Sequence, residues 1–193
     1  MLQSVLVKLP LLRQAARKNV LNIDEISRLI VDVPDFPEPG VVFKDITPLL
    51  AHPVGFAATV EQLAERIAAS GAEELLAIES RGFIFGAAAA TRLGLPLHLV
   101  RKPGKLPRRT IGVDYDLEYG SDRVEIHDGV LTAGKSYAIV DDVIATGGTA
   151  AATAQLVRDQ GGDTAGCFVV IELAFLNGHK RLNGCRVDSL ITF

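Results

Sequence analysis

Two adjacent carboxylates, Asp141 and Asp142, close a largely apolar run that begins at Lys135, and the stretch Thr146, Gly147, Gly148 and Thr149 begins four residues after them. A helix-forming run, Ala150 to Ala154, starts directly after them. Glycines let backbone N–H groups approach an anion, threonine hydroxyls donate further hydrogen bonds, and a helix dipole favours negative charge at its N-terminus. The stretch predicts a phosphate cradle that works without a lysine, suited to a monoester at the carboxyl edge of an open α/β sheet. Ionised carboxylates only accept hydrogen bonds, which fits the paired hydroxyls of a ribose cis-diol. A ribose 5-phosphate satisfies both halves, because the sugar holds diol and phosphate apart. On a continuing strand the two aspartates would point to opposite faces, so this reading has the chain leave the sheet at this point. Taken alone, the motif also fits two solvated loop acids ahead of a glycine-rich helix cap.

A second phosphate signal fails. Gly129, Gly134, Lys135 and Ser136 have the G-x-x-x-x-G-K-S spacing of a nucleotide-triphosphate loop, but that mechanism needs a helix to start at the lysine. Tyr137 to Val140 is strand by composition, so Gly134-Lys135 reads as a turn. Ser80-Arg81-Gly82, between a strand end and a helix start, is a better anion cradle, with Arg81 as a bidentate donor.

The elements that must position these residues alternate along the chain. Apolar residues at Phe56, Val60, Leu63, Ala64 and Ile67 follow the helical period, and Gly71 marks the stop. Strands are predicted over 75–78, 97–100, 135–140 and 167–173. An alanine-rich helix running to about Arg92 is ended by Gly94, and another over 149–160 is closed by Gly161 and Gly162. This pattern predicts an α/β fold with a central, mostly parallel, twisted sheet covered by helices on both faces. Between Val100 and Lys135 lie more than 30 residues of different character, with six basic residues and two prolines up to Gly129. Tyr115, Leu117 and Tyr119 alternate as one hairpin arm and Val124 to Ile126 as the other, so a two-stranded lid with a mobile tip is expected over about 102–128.

The 193 residues suit a single domain, 24–193, and the balance of 48% hydrophobic, 22% charged and net charge -3 describes a globular chain rather than a disordered one or a general nucleic-acid binder. No apolar run approaches the ~20 residues of a membrane span. Cys167 and Cys185 make neither a disulfide framework nor a metal pattern, and the four histidines show no ligand spacing. A cytoplasmic location is expected. Residues 1–23 carry Lys8, Arg13, Arg17 and Lys18 with no acid. They faintly resemble a transit peptide but are poor in serine, and they read as an appended arm or over-extended start, of unknown role, packed on the surface.

A strand followed by D-D-x-x-x-T-G-G-T resembles the signature of the type I phosphoribosyltransferases, which bind 5-phosphoribosyl 1-pyrophosphate. Four further stretches, Pro34 to Pro48, Glu79 to Gly86, Val100 to Pro107 and Tyr115 to Gly120, are similar to the adenine phosphoribosyltransferases among them. The likeness runs from about Asp32 to the C-terminus.

That resemblance implies a small N-terminal hood beside the sheet, and transfer of phosphoribosyl from the pyrophosphate to adenine through an oxocarbenium-like displacement. It implies that Asp141 and Asp142 hold the diol and face the developing positive charge, while Ala145, Thr146, Gly147, Gly148 and Thr149 take the 5-phosphate. Ser80, Arg81, Arg101, Lys102 and Lys105 would meet the pyrophosphate, with some basic residues reaching across a homodimer interface and a cis peptide near Glu79-Ser80. Val42, Phe43, Lys44 and Val143 would contact adenine, and Glu118 would be the acid/base. Magnesium would arrive with the pyrophosphate rather than in a protein cage, with no nucleic acid or membrane partner. Two other readings fit the phosphoribosyl motif: a relative using guanine, hypoxanthine, xanthine or orotate, and a purine-responsive regulator. The segments Val41 to Lys44 and Leu117 to Tyr119 favour adenine. The arm is too short and interrupted for a helix-turn-helix.

Overall fold

The computed structural model describes residues 21–116 and 120–193. The basic N-terminal arm up to residue 20, and Leu117, Glu118 and Tyr119 of the predicted hairpin, lie outside the described residues. Two compact units make up the chain, Met1–Thr59 and Val60–Phe193.

In the first unit, helix α1 (Ile23–Ser27) starts at Asn22, whose side chain accepts from the Glu25 N–H while the Glu25 carboxylate accepts from the Asn22 N–H. This reciprocal cap satisfies two donors that a helix start leaves orphaned. Strand β1 (Val31–Pro34) pairs antiparallel with β2 (Val42–Asp45), Val31 opposite Asp45 and Pro34 opposite Val42. The turn between them contains a cis Phe36-Pro37 bond. This pair is the small hood, followed by α2 (Thr47–Ala51).

Helix α3 (Pro53–Ser70) leads into the second unit. Leu63, Ala64 and Ile67 are buried at the predicted spacing, and Arg66 reaches the Asp188 carboxylate at 2.6 Å and the Ser189 carbonyl at 2.8 Å. Then come β3 (Glu74–Ile78), α4 (Gly82–Leu93), β4 (Leu97–Val100), the hairpin β5 (Thr110–Asp116) and β6 (Ser121–His127), β7 (Ser136–Ile144), α5 (Gly148–Asp159), β8 (Asp163–Glu172), two 3-10 turns (Ala174–Leu176 and Gly178–Leu182) and β9 (Val187–Thr192). The central sheet has the order β4-β3-β7-β8-β9, with every pairing parallel.

Burial of every residue of β3 and most of β7 and β8 requires cover on both faces. Gly86 of α4 lies so close to Ala77 that a Cβ there would come within 2.5 Å of the Ala77 side chain. Leu76, Ile78 and Ile139, on the opposite face by strand alternation, join Ala150, Ala154 and Val157 of α5 in one core. Val124 and Ile126 of the hairpin extend that core, which fixes the hairpin's base beside α5.

Three elements differ from expectation. Strand β8 starts at Asp163 rather than Cys167, and the edge strand β9, whose Val187, Leu190 and Ile191 are mixed with Asp188 and Ser189, carries no clear period in the sequence. Strand β7 runs on through both aspartates to Ile144. The Walker-like Lys135 indeed precedes a strand rather than a helix, and its ammonium pairs with Glu74.

Candidate active site

Strand β3 pairs with β7 only as far as Ala77 opposite Val140, whereas β7 continues against β8 to Ile144 opposite Glu172. The last residues of β7 therefore have a strand partner on one side only. The expectation that the chain leaves the sheet at Asp141-Asp142 is corrected here. The acids stay in the strand, and the shorter neighbour, not a bend, exposes both to one cleft.

That cleft has a volume of about 450 Å3 and is lined by Glu79, Ser80 and Arg81, the segment Asp141 to Ala150, and Cys167 and Val169. Of the residues singled out from sequence, Ser80, Arg81, Asp141, Asp142, Val143, Ala145, Thr146, Gly147, Gly148 and Thr149 come together in it. The Glu79-Ser80 bond is cis.

Gly147 caps α5 in a left-handed conformation, φ +78, which only glycine adopts without cost. It also sits against Gly178: a Cβ on Gly147 would be 2.2 Å from the Gly178 carbonyl, and one on Gly178 would be 2.1 Å from the Ala145 carbonyl. Two chain segments far apart in sequence thus touch backbone to backbone, and the turn Gly178–Leu182 braces the loop from behind. The Ala151 N–H bonds the Gly147 carbonyl at 2.9 Å. The N–H groups ahead of it start the helix, where its dipole favours an anion.

The acids are held tightly. Asp142 forms an ion pair with Arg81 at 2.9 Å, and the Asp142 N–H donates to the Asp141 carboxylate at 2.8 Å. A Cβ on Gly82 would lie 2.8 Å from an Asp141 carboxylate oxygen, so glycine is required where α4 begins. Burial pushes the Asp141 carboxyl well above the usual carboxylate range, and the neighbouring Asp142 charge adds to it. Burial likewise raises Asp142, against the pull of Arg81. The pair resists carrying two negative charges unless a partner supplies hydrogen-bond donors or positive charge.

Arg101, Lys102 and Lys105 do not line the cleft. Arg101 pairs with Glu79 at 2.8 Å and donates to the Lys105 carbonyl at 3.1 Å. The Lys102 N–H reaches the same Glu79 carboxylate at 3.1 Å, and its ammonium pairs with Asp122 and donates to the Tyr115 hydroxyl at 2.6 Å. Glu79 thus ties the basic stretch to the cleft rim. Val42, Phe43 and Lys44 lie on β2 in the first unit, where Phe43 packs edge-on against Phe36 at 5.2 Å and Lys44 pairs with Asp32 at 2.6 Å. Glu118 lies outside the described residues.

The family model of the phosphoribosyl transferase domain matches residues 49–189. The adenine phosphoribosyltransferase of Erythrobacter litoralis is 53% identical over 175 residues, 90% of this chain and 98% of that one. The chain belongs to the adenine phosphoribosyltransferase family. Among solved structures, the adenine phosphoribosyltransferase of Thermoanaerobacter pseudethanolicus superposes with a TM-score of 0.86 at 45% identity, covering 89% of this chain and all (100%) of that one. The Saccharomyces cerevisiae enzyme, solved complexed with D-2,5-dideoxy-2,5-imino-altritol 1,6-bisphosphate and adenine, has a TM-score of 0.81 at 36% identity, over 88% of this chain and 98% of that one. The fold is that of the type I phosphoribosyltransferases, and the chain is a pentosyltransferase of purine salvage.

Sequence reading of this family member missed Gly178, Glu79 as a tether, and the Tyr115–Asp122 pair. Gly178 carried no local signal beyond the turn dipeptide Asn177-Gly178, because its partner Gly147 is distant along the chain. Among the described residues no helix is long and apolar enough to cross a membrane.

Proposed function

We propose that the cleft holds the phosphoribosyl group of 5-phosphoribosyl 1-pyrophosphate through Asp141, Asp142 and Ala145 to Thr149 and transfers it to adenine, giving AMP and pyrophosphate. The observation that carries this reading is that two adjacent acids, Asp142 buried and Asp141 half-buried, and a helix N-terminal glycine loop line one cleft together with Ser80 and Arg81. Breaking the bond at C1 puts positive charge on the sugar and negative charge on the leaving group, and catalysis requires both to be met. Asp141 and Asp142 accept from the diol and face the sugar. Arg81, with the Ser80 backbone, meets the leaving group, and Lys105 serves it together with Arg101 and Lys102, which exchange their present partners Glu79 and Asp122 to do so. Glu118 is the proton-transfer group for the purine five-membered ring, and Val42, Phe43, Lys44 and Val143 read the base. The yeast relative's complex with adenine and a bisphosphate supports the same pair of subsites here.

The carboxylates of the cleft are hard oxygen donors, which fit magnesium that keeps its substrate and water ligands. Bound to the pyrophosphate, the ion would neutralise part of the leaving charge. A homodimer in the cytoplasm completes the proposal.

A purine panel with 5-phosphoribosyl 1-pyrophosphate and magnesium tests it. AMP formation from adenine is expected, and turnover of guanine, hypoxanthine or xanthine in its place would overturn the base assignment. Glu118→Ala is expected to leave 5-phosphoribosyl 1-pyrophosphate binding intact and cut kcat by roughly 10²-fold, the usual contribution of a positioned acid/base. An unchanged kcat would remove Glu118 from the mechanism.

A further inference from the structure

The Tyr115 hydroxyl on β5 is surrounded by three polar groups. It lies 2.9 Å from the Asp122 carboxylate, 2.6 Å from the Lys102 ammonium and 3.0 Å from the Thr149 hydroxyl. Its ring packs against Gly148, where a Cβ would come within 3.0 Å of it, and the Lys102 ammonium sits 5.2 Å from the ring centre. The hairpin is therefore joined through one phenol to the last residue of the phosphate loop.

Donor counting fixes the direction of these bonds. An ammonium only donates and an ionised carboxylate only accepts, while a phenol and a threonine hydroxyl each carry a single proton. The hydrogen bond from Lys102 holds the Asp122 carboxyl below its ordinary range, so it is the anion. The Tyr115 proton must then point at Asp122, and its oxygen accepts from Lys102. The contact with Thr149 is left to be made by the Thr149 proton, which points at Tyr115 and away from the cleft. A phosphate dianion only accepts. For Thr149 to donate to it, that proton must turn, and the Tyr115–Thr149 bond is lost as long as Asp122 keeps the phenol proton.

We propose that Tyr115 is a positioning residue that couples occupancy of the phosphate loop to the hairpin: an anion on Thr149 releases the hairpin base, and an empty loop holds it. The inference rests on the reading of Thr146 to Thr149 as the 5-phosphate site. It gives the strands that flank Glu118 in sequence a way to respond to the first substrate before the base arrives.

Hydrogen exchange of the β5 and β6 amides, measured with and without ribose 5-phosphate, tests it. Loss of one hydrogen bond changes an opening equilibrium by roughly fivefold, so ribose 5-phosphate is expected to speed exchange of wild-type hairpin amides by that factor. Tyr115→Phe keeps the ring on Gly148 but has no hydroxyl, and its hairpin should exchange at the fast rate in both states. Asp122→Asn removes the anion that claims the phenol proton, so Tyr115 can donate to Thr149 while Thr149 donates to phosphate. Its hairpin should exchange slowly in both states. A loosened hairpin alone would move both variants the same way. A ligand response that persists in either variant, or is missing from the wild type, would overturn the coupling. Failure of ribose 5-phosphate to bind at all, read separately by calorimetry, would instead overturn the reading of the loop as a 5-phosphate site.

Discussion

The two ends of the central sheet each bury acids, and they treat them in opposite ways. At the amino edge, Glu74 opens β3 between the Lys135 ammonium and His98, whose ring nitrogen is 2.7 Å away. Burial disfavours its charge, but the hydrogen bonds from Lys135 and His98 outweigh that and hold the carboxyl below the ordinary glutamate value of 4.5. At the carboxyl edge, burial raises both Asp141 and Asp142, and Arg81 as a partner does not restore the balance. The first arrangement is satisfied and serves folding. The second is under-compensated in the protein alone, which is what a site waiting for a polar, partly cationic ligand requires.

The contrast can be broken by substitution. Asp142→Asn removes the ion pair with Arg81 and, on the proposed function, one charge facing the sugar, and kcat/KM should fall by roughly 10²-fold, the scale seen when one electrostatic stabiliser of a transition state is lost. Retained activity would mean that the acids at this edge are structural, like Glu74. Gly178→Ala tests the brace behind the loop. Its Cβ would meet the Ala145 carbonyl at 2.1 Å, so the loop must shift, and KM for 5-phosphoribosyl 1-pyrophosphate should rise by roughly 10-fold, the cost of misplacing a binding group.

At the other edge the expected loss is in stability alone. Glu74→Ala strips Lys135 and His98 of their shared partner. With Lys135 40% exposed, the cost is about 1–2 kcal/mol rather than the larger penalty of a fully enclosed pair, a fall in Tm of about 3–6 °C at this chain length. kcat of the folded fraction should be unchanged.

The smallest effect is in pH dependence, and the two edges should differ in sign. The folded-state value of Glu74 is lowered, so its contribution is present above the ordinary glutamate range and lost as pH falls through it. The Tm gap between wild type and Glu74→Gln should close below about pH 4, where an unfolded glutamate itself protonates. Asp141 is raised, so its ionisation opposes folding as pH climbs above the ordinary aspartate value of 3.8. Asp141→Asn should gain stability relative to wild type as pH rises.

The glycine loop and its helix were legible because their signal is local: a glycine pair, flanking threonines and an alanine run within ten residues state both the turn and the helix behind it. Strands β3 and β7 were legible from apolar runs that are buried on both faces, and the edge strand β4 from its short Leu97 to Val100 run. What sequence could not state was relative length. That β3 pairs with β7 no further than Val140 is a property of two strands compared, and it decides whether Asp141 and Asp142 open onto one cleft. The same holds for Gly178 against Gly147 and Tyr115 against Thr149, contacts between distant segments whose residues carry no sign of their partner. The basic residues show a further limit. Arg101 and Lys102 read as anion contacts, and in the protein alone they pair with Glu79 and Asp122, because a cation takes whichever acid the fold brings near.

Asp141→Asn, measured on one preparation for both melting and AMP formation, tests the account most directly. The predicted result is a loss of kcat/KM of roughly 10²-fold together with a Tm at neutral pH raised by about 2–4 °C, the size of an ordinary stabilising change of about 1 kcal/mol in a chain of this length. A variant that melts lower than the wild type while keeping its activity would contradict it, since Asp141 would then be a structural acid like Glu74.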